Sequence, residues 1–150
     1  AVRNFIWNQL SGKPGFDVTT DLDLVFYDSA ISYEQTLQIE QELKKTYPQY
    51  AWEVKNQVYM HGHSPGTYPY TSSFDAISKY PEQCTAIAVR LTPNQELELF
   101  TPYGLGELEQ MIVQPTPHFR EDPERLAVYR ERMAKKDWLQ KWPSLEVKDL

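Results

Sequence analysis

The stretch Asp21-Leu22-Asp23-Leu24-Val25-Phe26-Tyr27-Asp28 decides how this chain is read. Its β-branched and aromatic residues predict a strand over about 22–27. Side chains two apart on a strand share a face, so Asp21 and Asp23 project together. Two anions side by side repel, and only a cation or a proton offsets that cost. Carboxylate oxygens suit Mg²⁺ or Mn²⁺, ions that commonly bind substrate phosphates through one or two carboxylates plus water. The same D-x-D pattern also fits an edge strand with two solvated aspartates, so the flanking sequence has to decide.

Upstream, Val2, Phe5, Ile6 and Leu10 recur at helical spacing, and Ser11-Gly12-Lys13-Pro14-Gly15 ends that helix. Downstream, Ser32 and Gln35 have the form of a capping box for a helix of roughly 33–47, which Pro48 stops. Ala51 to Met60 predicts a second strand, with Glu53, Lys55 and Gln57 on one face and Val54, Asn56 and Val58 on the other. Residues 62–70, rich in Gly, Pro, Ser and Tyr, predict a loop, followed by a short helix from Phe74 to Tyr80. Thr85 to Leu91 and Leu97 to Tyr103, separated by Pro93-Asn94-Gln95, predict an antiparallel hairpin. A short helix at Gly104 to Met111, a linker at Pro115 to His118 and a long helix from Pro123 to Lys141 complete the chain. This order implies an α/β mixture of the α+β kind, a small mixed sheet flanked by helices. It is neither a TIM barrel nor a long doubly wound sheet.

At 150 residues and 41% hydrophobic, the chain supports one domain with a core, expected over 1–150 with 118–150 as its C-terminal helical segment. A net charge of −6 argues against binding long nucleic acids by bulk electrostatics. The charge is uneven: residues 125–141 hold 6 basic against 2 acidic side chains, which reads as a solvated helix face or, alternatively, a phosphate-facing one. Cys84 is the only cysteine, so no intrachain disulfide forms, and a reducing, cytoplasmic setting is expected. No run approaches the ~18 apolar residues of a membrane span. No G-x-G-x-x-G, Walker A sequence or Cys/His zinc cluster is present, and His61 with His63 lacks a third ligand nearby.

Val2-Arg3-Asn4-Phe5-Ile6-Trp7, Leu10-Ser11-Gly12 and Thr20-Asp21-Leu22-Asp23 together resemble the head of a polymerase-β-type nucleotidyltransferase. The variant is that of tRNA CCA-adding and poly(A) polymerase heads, where a Gly-Gly pair leads into x-V-R-D, then L-x-G, then D-x-D. With Val54-Lys55-Asn56-Gln57 and Met60-His61 added, the order is similar to a bacterial family of nucleotidyltransferase-like proteins of unassigned substrate. The likeness extends to Leu99-Phe100-Thr101-Pro102-Tyr103-Gly104-Leu105 and to the closing Lys135–Pro143 segment.

The resemblance implies a polymerase-β-like fold and a site in which Asp21, Asp23 and a third acid hold Mg²⁺ or Mn²⁺. Trp52-Glu53-Val54 has the apolar–acid–apolar form of that third position, so Glu53 is its candidate; the other register would turn Asn56 toward the metals instead. Arg3, Asn4, Lys55, Asn56 and His61 are the candidate substrate contacts. The implied substrates are a nucleoside triphosphate and an acceptor of unknown identity, a small molecule or a protein. Two departures stand out: Asn4 replaces the acid of x-V-R-D, and the Gly-Gly turn is absent, an expectation of a start truncated just past that pair. The alternative is a catalytically inactive nucleotide- or partner-binding module on the same fold.

Overall fold

The computed structural model describes residues 1–149. In chain order its elements are α1 (Val2–Leu10), β1 (Asp21–Phe26), α2 (Tyr33–Thr46), β2 (Ala51–Asn56), a 3₁₀ segment (Gln57–His63) and α3 (Ser73–Ser78), followed by a 3₁₀ turn (Gln83–Thr85), β3 (Ala88–Leu91) and β4 (Leu97–Phe100). Then come α4 (Gly106–Glu109), β5 (Ile112–Val113), α5 (Pro117–Arg120), α6 (Pro123–Lys135), α7 (Trp138–Lys141) and β6 (Glu146–Val147). The mixed α+β class is as expected. Among the described residues the strands form three two-stranded sheets, β1–β2, β3–β4 and β5–β6, where a single small mixed sheet was expected. The chain gathers into two compact units, one of Ala1 with Phe16–Ala76, the other of Val2–Gly15 with the stretch from Ile77 onward.

The first unit is a β–α–β arrangement. β1 and β2 run parallel, with Asp21 opposite Ala51, Asp23 opposite Glu53 and Val25 opposite Lys55. Parallel strands need a crossover, and α2 supplies it. The capping box forms: Ser32 Oγ accepts from Gln35 N–H (3.1 Å), and Gln35 Oε1 accepts from Ser32 N–H (2.8 Å). One feature of α2 was not foreseen. Its Glu40 carboxylate accepts the Val54 N–H at 2.8 Å, giving a partner to a backbone donor of β2.

β2 is shorter than its sequence pattern implies, ending at Asn56 instead of Met60. Asn56 is buried, and its Oδ1 accepts from Val58 N–H (3.3 Å), capping the 3₁₀ segment that replaces the rest of the strand. The short polar side chain offers the backbone a turn in place of a ladder. Residues 57–61 therefore leave the strand alternation.

In the second unit, Trp7 of α1 is fully buried and meets Trp138 and Trp142 edge to face, at centroid distances of 5.5 and 5.1 Å. Trp142 Nε1 donates to Asn8 Oδ1 (3.0 Å), and Asn8 Nδ2 donates to the Gly15 carbonyl (3.2 Å). α1 ends with Gly12 at φ +71°, a left-handed conformation that glycine adopts without strain. Cys84, Leu108, Val113, Phe119, Tyr129 and Leu145 fill the rest of this core.

β3 and β4 form the expected antiparallel hairpin, though both strands are shorter than predicted because a 3₁₀ turn takes Gln83–Thr85 and β4 stops at Phe100. The predicted linker at 115–118 instead opens a helical turn, capped by Thr116 with Pro117 in its first turn. The long helix expected over 123–141 breaks after Lys135. Lys136 is extended (φ −81°, ψ 144°), and α7 restarts at Trp138, which lets that indole reach Trp7. No helix among the described residues is long and apolar enough to cross a membrane.

Candidate functional site

The parallel register of β1 and β2 determines what faces what. Register partners in a parallel pair share a sheet face, so Asp21, Asp23, Glu53 and Lys55 lie on one side. Lys55 Nζ stands 3.0 Å from Glu53 Oε2 and 3.6 Å from Asp23 Oδ1. The three side chains are each between 41 and 51% exposed, which keeps the cluster open to solutes.

Their acidities differ because their surroundings do. Desolvation pushes the Asp23 carboxyl up, and Lys55 pulls it back only in part while the Glu53 carboxylate and a shared hydrogen bond push it further. Glu53 moves the other way: its hydrogen bond to Lys55 outweighs desolvation and holds it below the usual range. Burial works against the Lys55 charge, yet the bonds and fields of Glu53 and Asp23 outweigh that and raise it. The cluster is thus a carboxylate pair with one lysine between its charges. Asp23 is the member most ready to take a proton or a cation.

Asp21 lies one pleat step from Asp23 on the same face, opposite Ala51. Among the described residues no three acidic, His or Cys side chains close into a ready cation cage. The Asp23–Glu53 pair nevertheless fits the chemistry of Mg²⁺ or Mn²⁺, hard ions that one or two carboxylates hold when substrate phosphates and water complete the shell. A like-charged pair in which one carboxyl is made harder to ionise is stabilised by a cation placed between the two.

The remaining predicted residues fall elsewhere. Asn56 is on the opposite face from Glu53, and its Nδ2 donates to the carbonyls of Asp28 (2.8 Å) and Ile31 (3.2 Å). It thereby fixes the turn that leaves β1. His61 sits in the 3₁₀ segment, edge-on to Tyr70 at 6.3 Å, with its Nδ1 buried and unpartnered among the described residues. Arg3 and Asn4 belong to the second unit, where Arg3 Nε and Nη2 donate to Asn4 Oδ1 (3.0 and 2.8 Å) and Nη1 donates to Thr85 Oγ1 (2.8 Å). Glu40, which positions β2, escaped the sequence reading; its only signal was the Glu40–Lys44 spacing of an ion pair on one helix face.

Two comparisons bear on this fold and site. The family model described as "Nucleotidyltransferase" matches residues 1–147, across both units. The chain belongs to that nucleotidyltransferase family. It is also similar to a solved structure described with the words "The NMR structure of the protein reveals a CCA-adding enzyme head domain". That similarity carries 53% identity and a TM-score of 0.93, over 99% of this chain and 78% of the other. A comparison with curated proteins finds no match.

Proposed function

We propose that the protein is a Mg²⁺- or Mn²⁺-dependent nucleotidyltransferase that moves a nucleoside monophosphate from a triphosphate to a small-molecule or protein acceptor. An acceptor oxygen attacks the α-phosphorus, the bond to the bridging oxygen breaks, and pyrophosphate leaves. The observation that carries this reading is the cross-strand pairing of Asp23 with Glu53, one pleat step from Asp21, in a member of a nucleotidyltransferase family.

Asp21, Asp23 and Glu53 are the residues that would hold the divalent cation. When bound, it supplies positive charge to the phosphoryl oxygens as the transition state forms. Lys55 keeps Glu53 ionised and fixes its carboxylate, and its ammonium is the cation nearest a phosphate brought to that face. His61, half-buried in the 3₁₀ segment, is a further substrate contact, while Asn56 acts indirectly by holding the backbone at Asp28 and Ile31. The same family pattern suggests residues 1–150 act as one catalytic domain, working in the cytoplasm and away from membranes.

One observation favours a second reading, a nucleotide- or partner-binding module without catalysis. Lys55 already neutralises part of the carboxylate pair that a cation would otherwise bridge. Titration with Mn²⁺ followed by paramagnetic broadening of backbone amide signals separates the two. Broadening centred on residues 21–23 and 53, saturable and absent in Asp23→Asn, supports the enzyme. Uniform weak broadening unaffected by that substitution supports the binding module.

A further inference from the structure

One lysine already holds the two carboxylates that the proposed cation needs. Lys55 Nζ lies 3.0 Å from Glu53 Oε2 and 3.6 Å from Asp23 Oδ1, so a single ammonium bridges acids that face each other across β1 and β2. In register Lys55 is opposite Val25, one pleat step beyond the carboxylate row, and its stem reaches back to that row. Glu40 also lies within the field of Lys55, but its carboxylate is committed to Lys44 Nζ (2.8 Å) and to the Val54 N–H (2.8 Å). Among the described residues, the ion-pair partners of Lys55 are therefore two of the acids assigned to the metal.

A dication and an ammonium cannot both be satisfied by this pair. At equal distance a divalent ion repels the ammonium about twice as strongly as one carboxylate attracts it. Lys55 is free to move away: its side chain is 41% exposed, and a four-carbon stem with three rotatable donors swings at low cost. What differs is the destination. With a free cation on the carboxylates, the two ion pairs of Lys55 are lost outright. With a metal–polyphosphate complex they are replaced, because phosphoryl oxygens accept charge-assisted hydrogen bonds as carboxylates do.

We propose that Lys55 is a displaceable counter-ion that couples metal to nucleotide: it holds Asp23 and Glu53 together until a metal–triphosphate complex binds, then transfers to the phosphate tail. The inference rests on the metal-dependent reading above and deepens it. A divalent ion alone is held weakly, whereas metal and triphosphate bind together, each tightening the other by the same factor. The ion pairs that part-neutralise the carboxylates are then the resting state of a transferase, and Lys55 reaches the phosphates only after leaving Asp23 and Glu53.

Three titrations at about pH 8, above the range in which carboxyls ionise, test this with inorganic tripolyphosphate, the tail common to nucleoside triphosphates. Mn²⁺ alone, followed by water-proton relaxation, should bind Lys55→Gln about three- to ten-fold more tightly than the native chain. The Lys55 Nζ resonance of the native chain should stay in place with tripolyphosphate in EDTA and move saturably with Mg²⁺·tripolyphosphate. That complex should bind Lys55→Gln more weakly than the native chain, and circular dichroism confirms that the variant is folded. Mn²⁺ affinity unchanged or weakened in folded Lys55→Gln makes the lysine a strut or a bystander and overturns the proposal. An Nζ resonance that ignores the saturating complex, or that moves equally without metal, overturns it as well, as does a complex that binds both proteins equally. Mn²⁺ binding by neither protein ends the metal-dependent reading and this inference with it, so the two failures are told apart.

Discussion

Glu53 stands directly opposite Asp23 in the parallel register of β1 and β2, and Lys55, two residues further along β2, contacts both carboxylates. Lys55 lowers both carboxyls, yet they end on opposite sides of their ordinary ranges, because desolvation dominates at Asp23 and the hydrogen bond to Lys55 dominates at Glu53. Asp23 is held above the ordinary aspartate range and Glu53 below the ordinary glutamate range.

Lys55→Gln removes a field that lowers both carboxyls, so both should titrate at higher pH. Carbon-detected NMR of the side-chain carboxyls reads this as two coupled steps displaced upward. Cation binding requires the ionised pair, so its pH midpoint should rise in the variant. The sign of the Glu53 contribution follows from linkage: with its folded pKa lowered, its stabilisation is present above the unfolded value and lost as pH falls through the folded one. Asp23, raised, works against stability once pH climbs past its unfolded value.

Glu40→Ala should cost about 1–2 kcal/mol, because the Val54 N–H loses its acceptor beside a buried valine. Hydrogen exchange at Val54 should accelerate by more than exchange elsewhere in β2. Glu40 is itself held low, by its hydrogen bond from Lys44 and then by the Val54 N–H. Its contribution therefore persists above the unfolded carboxyl range and disappears as pH drops through the folded value.

Arg132→Ala leaves the Glu82 carboxylate buried with Thr85 as its remaining side-chain donor. Stranding a buried charge in this way should lower stability by about 3 kcal/mol, read as a fall in denaturant midpoint. Adding Glu82→Gln should recover much of the loss, since a neutral amide is far cheaper to bury.

Cys84 is almost fully buried, and that burial pushes its thiol up to about 12. A small thiol reagent at neutral pH should leave the folded protein unmodified and label it fully in denaturant. Rapid labelling of the native protein would contradict the packing described for this core.

How much of this was legible in the sequence varies by element. β1, α2 and the start of β2 were, since alternation, a Ser32/Gln35 box and Pro48 all point the same way. That Glu53 would share a face with Asp23 was only one of two open registers, because parallel pairing is set by how α2 lays the strands together. The strand pattern through Met60 misled because Asn56 competes with the ladder through its own side chain. The two-residue strands β5 and β6 carry no periodicity to read. The break at Lys136 likewise has no Gly or Pro to announce it; it becomes intelligible once Trp138 is seen against Trp7. The role of Arg3 beside Trp138 and Thr85 depends on residues far apart in sequence, which spacing alone does not join.

The central claim is that the Asp23–Glu53 pair holds a divalent cation for nucleotide binding and transfer. Isothermal titration of Mg²⁺·ATP into the protein and into Asp23→Asn/Glu53→Gln tests it most directly. The prediction is binding that needs Mg²⁺ and is lost in the double variant, which circular dichroism should show to be folded, with a modest loss of stability where Glu53 no longer pairs with Lys55. Binding that survives without Mg²⁺ and is equal in the double variant would contradict it.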